Sequence, residues 1–271
     1  MSIVTLLTDF GWADGYVGVM KGVILSIAPH TTLVDISHDV APQDVRDAAY
    51  VLYTAVPYFP PDTVHLIVVD PGVGSARRAI AVRTAQGTFV APDNGVLSYV
   101  LAANPPQVAV SLTNPQYHLS QVSRTFHGRD IFAPAAAHLS RGVPITALGE
   151  PIRNLVTFPM PKAQARADGT LIGQVIHVDR FGNAITNLRR GDIPWSDEAT
   201  VVEIGEQVIT GLKETYAQAR TGEPLALIGS SGHLEIAIAG GNAAQRLNVY
   251  IGDEVRVRQK SDGDRNDAYR G

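Results

Sequence analysis

The chain contains no cysteine, and this absence removes several kinds of chemistry at once. Disulfide bonds, thiolate nucleophiles and cysteine-ligated metals are all excluded. Charged residues are also scarce, at 18% of 271 residues, while hydrophobic residues reach 45%. This balance predicts a sizeable core rather than a disordered chain, in one large or two modest domains.

Long basic runs and long apolar runs are missing as well. The net charge is −4, and basic residues cluster only in short pairs such as Arg77-Arg78. This pattern argues against nucleic acid or an anionic membrane as a partner. No apolar run approaches the roughly 20 residues needed to cross a bilayer. Residues 1–5 read as a strand and lack the basic region of a signal peptide, so we expect a soluble cytoplasmic protein.

The common nucleotide and metal signatures are absent from the sequence. There is no Gly-x-Ser-x-Gly elbow, no P-loop and no Gly-x-Gly-x-x-Gly fingerprint. No two histidines stand four residues apart around a glutamate, as a zincin site requires. These absences count against a nucleoside triphosphate, a nicotinamide cofactor and a zincin-type metal site.

Hydrophobic periodicity predicts alternating strands and helices over residues 1–160. Strands are expected at 3–7, 32–36 and 64–69, helices at 16–27, 45–56, 94–103 and 131–140, and a hairpin at 79–91. The third strand has no polar residue after His65, so both of its faces should be covered. The pattern predicts an α/β domain with a mostly parallel sheet and flanking helices.

The pattern changes near Thr157. Residues 161–169 are polar and predict a linker, and residues 170–258 carry short strands separated by turn residues. Such spacing predicts a smaller all-β barrel domain. Residues 259–271 form a polar tail.

The third strand runs into Asp70, then into a Pro-Gly loop, and then into Arg77 and Arg78. Charged groups at the end of a buried strand are where open α/β sheets bind ligands. An exposed loop ion pair would contribute little stability, whereas Asp70 should lie at the floor of a crevice. Either arginine could face it, because the spacing does not distinguish them.

Two further carboxylates, Asp9 and Asp14, follow the first strand. They could accept hydrogen bonds from a vicinal diol or hold a hard cation. Asp14 could instead cap the helix that starts near Tyr16, whereas Asp9 lies too far ahead to do so.

His127 stands between Phe126 and Gly128, just before an apolar helix. A lone histidine is more often structural than catalytic, although this setting differs from that of the other histidines. His30 and His38 lie near turns and are interpreted as surface residues.

In the second half, residues 179–187 interrupt a strand with aromatic and amide groups. Phe181 could stack on a planar base that Asn183 reads, or the segment could be a bulge at Gly182. Residues 230–232 offer hydroxyls and backbone N–H groups for an anion.

These segments are specific when taken together in one order along the chain. The motifs are residues 8–11 with Asp14, 70–74 with Arg77, 91–95, 126–130 and 179–183. The set resembles the S-adenosyl-L-methionine (SAM) hydrolases, also called SAM hydroxide adenosyltransferases, to about residue 258. These enzymes are related to the fluorinating and chlorinating enzymes that attack the same substrate.

The resemblance implies an N-terminal α/β domain, a C-terminal β-barrel and a homotrimer with active sites between subunits. It implies hydrolysis of SAM to adenosine and L-methionine by in-line attack of activated water on ribose C5′, without a cofactor. The implied catalytic residues are Asp70, Arg77 and His127. The implied substrate-binding residues are Asp9 and Asp14 at the ribose, Asp179 at the ammonium, Ser230 and Ser231 at the carboxylate, Phe181 and Asn183 at the adenine, and Tyr216 along the nucleoside.

Three positions separate this chain from the halogenating relatives. Those enzymes carry a tyrosine in place of Asp70, an aromatic in place of Gln43 and an arginine in place of Ser231. A carboxylate at Asp70 would repel a halide and orient water, which favours hydroxide transfer. The alternatives are a 5′-halogenase, a metal-dependent nucleoside hydrolase that uses Asp9 and Asp14, and a protein that binds adenosine or SAM without turnover.

Overall fold

A computed structural model describes residues 2–261, and the chain divides into two compact units, Met1–Pro159 and Met160–Gly271. The predicted domain boundaries stay predictions, and the predicted tail lies outside the described residues from position 262 onward. Within the described part of the chain, no helix combines the length and apolarity needed to span a membrane.

The first unit alternates strands and helices, as the periodicity predicts. Its elements are β1 (Ile3–Thr8), α1 (Tyr16–Ile27), β2 (Thr32–Ser37), α2 (Val45–Ala55), β3 (Val64–Val68), β4 (Ala79–Thr84), β5 (Gly87–Pro92), α3 (Ser98–Ala103), β6 (Val108–Ser111) and α4 (Ala133–Ser140).

The six strands form one sheet in the order β2-β1-β3-β5-β4-β6. The pairings among β2, β1, β3 and β5 are parallel, whereas β4 pairs antiparallel with both β5 and β6. The sheet is therefore mixed, and the prediction of a mostly parallel sheet was wrong. The hairpin predicted at 79–91 accounts for the antiparallel pairing of β4 with β5, and β6, a strand that the sequence did not predict, adds a second antiparallel pairing along the other edge of β4.

Strand β3 is buried along its whole length, as predicted. Leu66 packs into a core with residues of α1 and α4, and its neighbour Ile67 packs into a second core with residues of α2 and α3. The chain passes from β1 through α1 to β2 on one side, and through α2 to β3 on the other. The gap between the carboxyl ends of β1 and β3 is thus the switch point where such sheets bind ligands.

The starts of the two leading helices differ. Asp44 caps α2, because its side chain accepts hydrogen bonds from the backbone N–H groups of Arg46 and Asp47. Helix α1 instead has Gly15 at its N-cap and no side-chain cap. Capping therefore does not explain Asp14.

The second unit is built mainly of short strands. Its elements are β7 (Gln164–Ala165), β8 (Leu171–Val178), β9 (Ala184–Arg189), β10 (Thr200–Ile204), β11 (Gln207–Thr210), β12 (Leu212–Lys213), β13 (Pro224–Ile228), β14 (His233–Ile238), a short helix α5 (Ala243–Arg246) and β15 (Glu254–Gln259).

These strands follow the order β11-β10-β15-β8-β9-β14-β13-β12. Strand β7, which lies inside the predicted linker, pairs with β8. All neighbours are antiparallel except β12 and β13. Closure of this sheet into a barrel stays a prediction.

Candidate functional site

The parallel pairing of β1 and β3 brings two carboxylates to one edge of the first sheet. Thr8 and Val68 are paired at the ends of these strands, Asp9 follows Thr8, and Asp70 comes two residues after Val68. A cavity of about 390 Å³ opens there and is lined by both carboxylates and by His127. The fold thus joins three segments that are far apart in the sequence.

Asp70, Arg77 and His127 form a continuous chain of hydrogen bonds. Arg77 Nε donates to Asp70 Oδ1 at 2.9 Å and to Oδ2 at 3.0 Å, and Arg77 Nη2 donates to His127 Nδ1 at 2.8 Å. The side chains of Arg77 and Asp70 are only 9% and 6% exposed. Arg78 points elsewhere and donates from Nε to Asp93 Oδ2 at 2.8 Å. Geometry therefore selects Arg77, where spacing left the choice open.

The hydrogen bond from Arg77 fixes the protonation state of His127. A guanidinium has no acceptor, so Nδ1 of His127 must accept, and the ring is neutral with its proton on Nε2. Burial lowers the pKa of His127, and the charge of Arg77 lowers it further, against smaller opposing effects from Asp70 and Asp130. The imidazole is therefore neutral near neutral pH.

Close packing places His127 at the cavity. It precedes the π-helical turn Gly128–Phe132 that leads into α4. A Cβ at Gly128 would lie 3.2 Å from the sulfur of Met20 and 3.3 Å from Val68 Cγ1. A larger residue would need Met20, Phe126 or Val68 to give way by a few tenths of an ångström, so glycine allows this close approach to β3.

Asp9 is held by the loop before α2. Its Oδ2 accepts from the backbone N–H of Gln43 at 2.7 Å, and Gln43 adopts a left-handed φ of 67°. Both residues line the cavity. Asp14 is exposed and is not among the lining residues. Of the two predicted carboxylates on this loop, only Asp9 faces the cavity.

One wall of the cavity is aromatic. Phe10, Tyr16 and Phe126 all line it, and their ring centroids lie 5.1–5.9 Å apart in tilted and edge-on arrangements. This wall suits an apolar or flat part of a ligand beside the carboxylates.

The interpretation of His38 as a surface residue was wrong. Its ring is buried beside the end of β1, with Nδ1 2.7 Å from Thr8 Oγ1 and Nε2 3.0 Å from Asp35 Oδ1. The sequence places His38 near a turn, but the loop after β1 contacts it: the backbone N–H of Gly11 donates to the carbonyl of His38 at 2.8 Å, and the Trp12 ring centroid lies 4.7 Å from that of His38.

In the second unit, Asp179 organises the turn between β8 and β9. Its Oδ1 accepts from the backbone N–H groups of Phe181 and Asn183, each at 2.9 Å, and its Oδ2 accepts from Asn183 Nδ2 at 3.0 Å. Gly182 has a φ of +85°, and a Cβ there would lie 2.1 Å from the Asn242 side chain. The turn leaves the ring of Phe181 76% exposed.

Sequence reasoning missed Glu235, a buried carboxyl group on β14. The hydroxyl of Tyr216 donates to Glu235 Oε1 at 2.5 Å. Burial raises the pKa of Glu235, the hydrogen bond from Tyr216 opposes this, and the charge of Asp179 adds to the rise. The only sequence signal is an acid inside the apolar run His233–Ile238. Ser230 is exposed and Ser231 half-buried in the turn before this strand.

Within residues 2–261, no group of three or more histidine, aspartate or glutamate side chains is arranged to hold a metal ion. Asp9 and Asp14 therefore belong to no such group in the described structure.

Family models match both halves of the chain. The SAM hydroxide adenosyltransferase N-terminal domain matches residues 4–149, and the C-terminal domain of the same family matches residues 173–256. The chain belongs to the SAM hydroxide adenosyltransferase family.

Curated relatives span nearly all of the chain. A protein of Thermus thermophilus named (R)-S-adenosyl-L-methionine hydrolase is 40% identical over 95% of this chain and 100% of its own length. A protein of the same name from Salinispora tropica is 42% identical over 94% of this chain and 97% of its own. A fluorinase from Actinoplanes sp. is more distant, at 28% identity over 94% of this chain and 97% of its own.

A solved structure has the same fold over nearly the whole chain. An uncharacterized conserved protein from Thermotoga maritima matches with a TM-score of 0.87 at 40% identity, over 94% of this chain and 99% of that one. The family models and the curated relatives confirm the resemblance inferred from the five motifs.

For this SAM hydroxide adenosyltransferase family member, the structure groups the expected residues by domain. Asp9, Asp70, Arg77 and His127 meet in the first domain, and Asp179, Phe181 and Asn183 share one turn in the second, where Tyr216 contacts Glu235. Asp14 stands apart. The roles of these residues stay predictions.

Proposed function

We propose that this protein hydrolyses (R)-S-adenosyl-L-methionine to adenosine and L-methionine. The observation that carries the proposal is the Asp70–Arg77–His127 chain at a cavity between two parallel strands. The relatives named (R)-S-adenosyl-L-methionine hydrolase at about 40% identity support the substrate and its sulfonium configuration.

The reaction is an in-line displacement. A water oxygen forms a bond to ribose C5′ while the C5′–S bond breaks and its electron pair returns to sulfur. Methionine leaves as a neutral thioether, so the leaving group needs no proton. The water proton passes to a carboxylate or to solvent. Because the sulfonium is already activated, we infer that neither a metal nor a cofactor is required.

Asp70 is the residue we assign to the water. Oδ1 accepts once from Arg77 and keeps a further lone pair for a water in the cavity, whereas Oδ2 accepts from both Nε and Nη2 of Arg77. His127 Nδ1 is already occupied by Arg77, so the ring acts in this state as an orienting group and not as the base. The guanidinium stabilises the hydroxide character that develops as the water attacks.

The ribose and the adenine are assigned to different residues. Asp9 keeps one oxygen for the ribose hydroxyls while the other accepts from Gln43. Phe181 would stack on the adenine, and Asn183 has its Oδ1 left to accept from the adenine amino group, because its Nδ2 donates to Asp179. The adenine contacts thus fall on the turn between β8 and β9.

For the methionine end, we assign the ammonium to Asp179 and Glu235, with Tyr216 beside them. An ammonium would offset the cost of burying the Glu235 carboxylate. The carboxylate of methionine is assigned to Ser230 and Ser231, and Asp14 remains a second candidate at the ribose.

We also infer a homotrimer with sites completed between subunits, and a closed barrel in the second domain. The support for self-association is an exposed apolar surface on α1 and the loop before it. Trp12, Tyr16, Val19 and Leu25 are 59%, 48%, 44% and 41% exposed there. An apolar surface of this kind is typical of an interface. Light scattering after size exclusion tests the trimer, and a monomer would refute it.

The proposed function is tested by a product assay. The protein is incubated with the (R) and (S) sulfonium epimers of SAM, each with and without a chelator and with and without chloride or fluoride. We expect adenosine and methionine in equal amounts, faster from the (R) epimer and unaffected by chelator or halide. A less polar 5′-halonucleoside would identify a halogenase. Loss of activity with chelator would indicate a metal-dependent hydrolase, and an intact ligand a binding protein.

A further inference from the structure

The turn that follows β5 contacts both ends of the loop that carries Asp70 and Arg77. Asn94 Nδ2 donates to the backbone carbonyl of Val69 at 2.9 Å, immediately before Asp70. Arg78 Nε donates to Asp93 Oδ2 at 2.8 Å, immediately after Arg77. Two neighbouring side chains on one turn therefore hold the two flanks of the catalytic loop.

The turn also forms hydrogen bonds with other parts of the chain. The side chain of Asp93 is 2% exposed, and its Oδ1 accepts from the backbone N–H of Val156 at 2.9 Å. The backbone N–H of Asp93 donates to the carbonyl of Arg78 at 2.9 Å, and Asn94 Oδ1 accepts from the N–H of Val96 at 3.1 Å. Buried polar groups that are fully paired in this way form a stiff support.

The hydrogen bonds inside the loop do not replace this support. Ser75 Oγ donates to the carbonyl of Gly72 at 2.7 Å and accepts from the N–H of Arg77 at 3.2 Å. Both of these hydrogen bonds lie within the loop, so they do not fix its position relative to the rest of the domain. The position of Arg77 relative to His127, which lies 50 residues further along the chain, depends on where the two flanks are anchored.

We propose that Arg78, Asp93 and Asn94 form a clamp that positions Asp70 and Arg77 for water activation. The proposal rests on the proposed function for its catalytic meaning. It gives a role to the 91–95 motif, to which the sequence assigns none. None of the three residues is assigned a contact with substrate, so they are positioning residues.

The test uses Asn94→Ala, which removes the donor to Val69 without a change of charge, and Arg78→Lys, which keeps the charge but loses the two-nitrogen contact with Asp93. Arg83→Gln is the matched control, because Arg83 lies on the same strand β4 and donates to Thr88 Oγ1 at 3.1 Å, away from the loop. Far-ultraviolet circular dichroism and urea unfolding establish that each variant is folded. Arg78→Lys keeps the test valid if Asn94→Ala fails to fold.

Two readouts are compared. We expect kcat to fall by ~10- to 100-fold, as a displacement of about 1 Å at a reacting group costs, with KM close to the parent value. We also expect the pKa of His127, measured by NMR titration without substrate, to rise toward its ordinary value, because Arg77 no longer sits beside Nδ1. Arg83→Gln should change neither.

Folded variants that retain both the parent kcat and the parent pKa of His127 would overturn the clamp. A fall in kcat with an unchanged pKa would overturn it too, because the loss would not then act through Arg77. The titration needs no substrate, so it tests the clamp even if the parent protein fails to hydrolyse SAM.

Discussion

Replacing Asp70 by asparagine should separate water activation from substrate binding. The substitution keeps the size of the side chain but removes the charge that pairs with Arg77, and an amide cannot accept at both positions that now take the guanidinium, at 2.9 and 3.0 Å. An amide NH₂ facing Arg77 would push the guanidinium away, and His127 would lose the donor that lies 2.8 Å from Nδ1. One substitution therefore disrupts the whole chain of hydrogen bonds.

The expected size follows from what the group does. General-base and orienting assistance to water supplies ~10²–10⁴-fold in rate, which corresponds to about 3 to 5 kcal/mol of transition-state stabilisation. We expect kcat for Asp70→Asn to fall by this factor, while the Kd for SAM changes little, because Asp70 is assigned to water and not to substrate.

The assay combines initial rates of adenosine formation with calorimetric binding of SAM. Asp9→Asn is the informative comparison, since it should weaken binding more than it slows turnover. Asp168→Asn is the matched control, because this exposed carboxylate lies in the second domain and accepts from the N–H of Thr170 within its own turn. A kcat for Asp70→Asn close to that of the parent would show that Asp70 does not activate the water.

Three further predictions concern other parts of the molecule. Burial lowers the pKa of His65 to about 4 from 6.5, so its contribution to stability is complete above pH 6.5 and is lost as the pH falls toward 4. His65→Leu should remove about 3 kcal/mol of the stability difference between pH 7.5 and 4.5 in urea unfolding, and identical pH profiles would contradict this. Gly182→Ala should destabilise by more than Gly169→Ala, because both glycines have positive φ but only Gly182 lacks room for a Cβ; equal unfolding midpoints would refute this. Tyr216→Phe should raise the pKa of Glu235 further and raise KM by about 10-fold, the value of one hydrogen bond to a charged group, and an unchanged KM in steady-state assays would remove the pair from the site.

Much of the first domain follows from local sequence. Asp44 marks the start of α2, and the unbroken apolar run of β3 identifies a strand covered on both faces. The mixed character of the sheet does not follow in the same way. The short strand β6 pairs at the edge of β4, and its four residues carry too weak a pattern to reveal that pairing.

The candidate site is predictable in composition but not in detail. Positions at the ends of buried strands identify Asp9 and Asp70, because topology brings such ends together. The choice between Arg77 and Arg78 depends on side-chain direction, which only the folded loop determines. Glu235 lies within an apolar strand, and a single acid in an apolar run does not reveal that its side chain is buried. Its contact with Tyr216 is visible only in the folded structure.

The fate of solvent oxygen tests most directly whether water displaces methionine at ribose C5′. The protein is incubated with (R)-S-adenosyl-L-methionine in heavy-oxygen water, and the adenosine is analysed by mass spectrometry with fragmentation. We expect the heavy oxygen at the 5′ position of adenosine and none in methionine. Adenosine without the label would contradict displacement at C5′ by a water molecule held at Asp70.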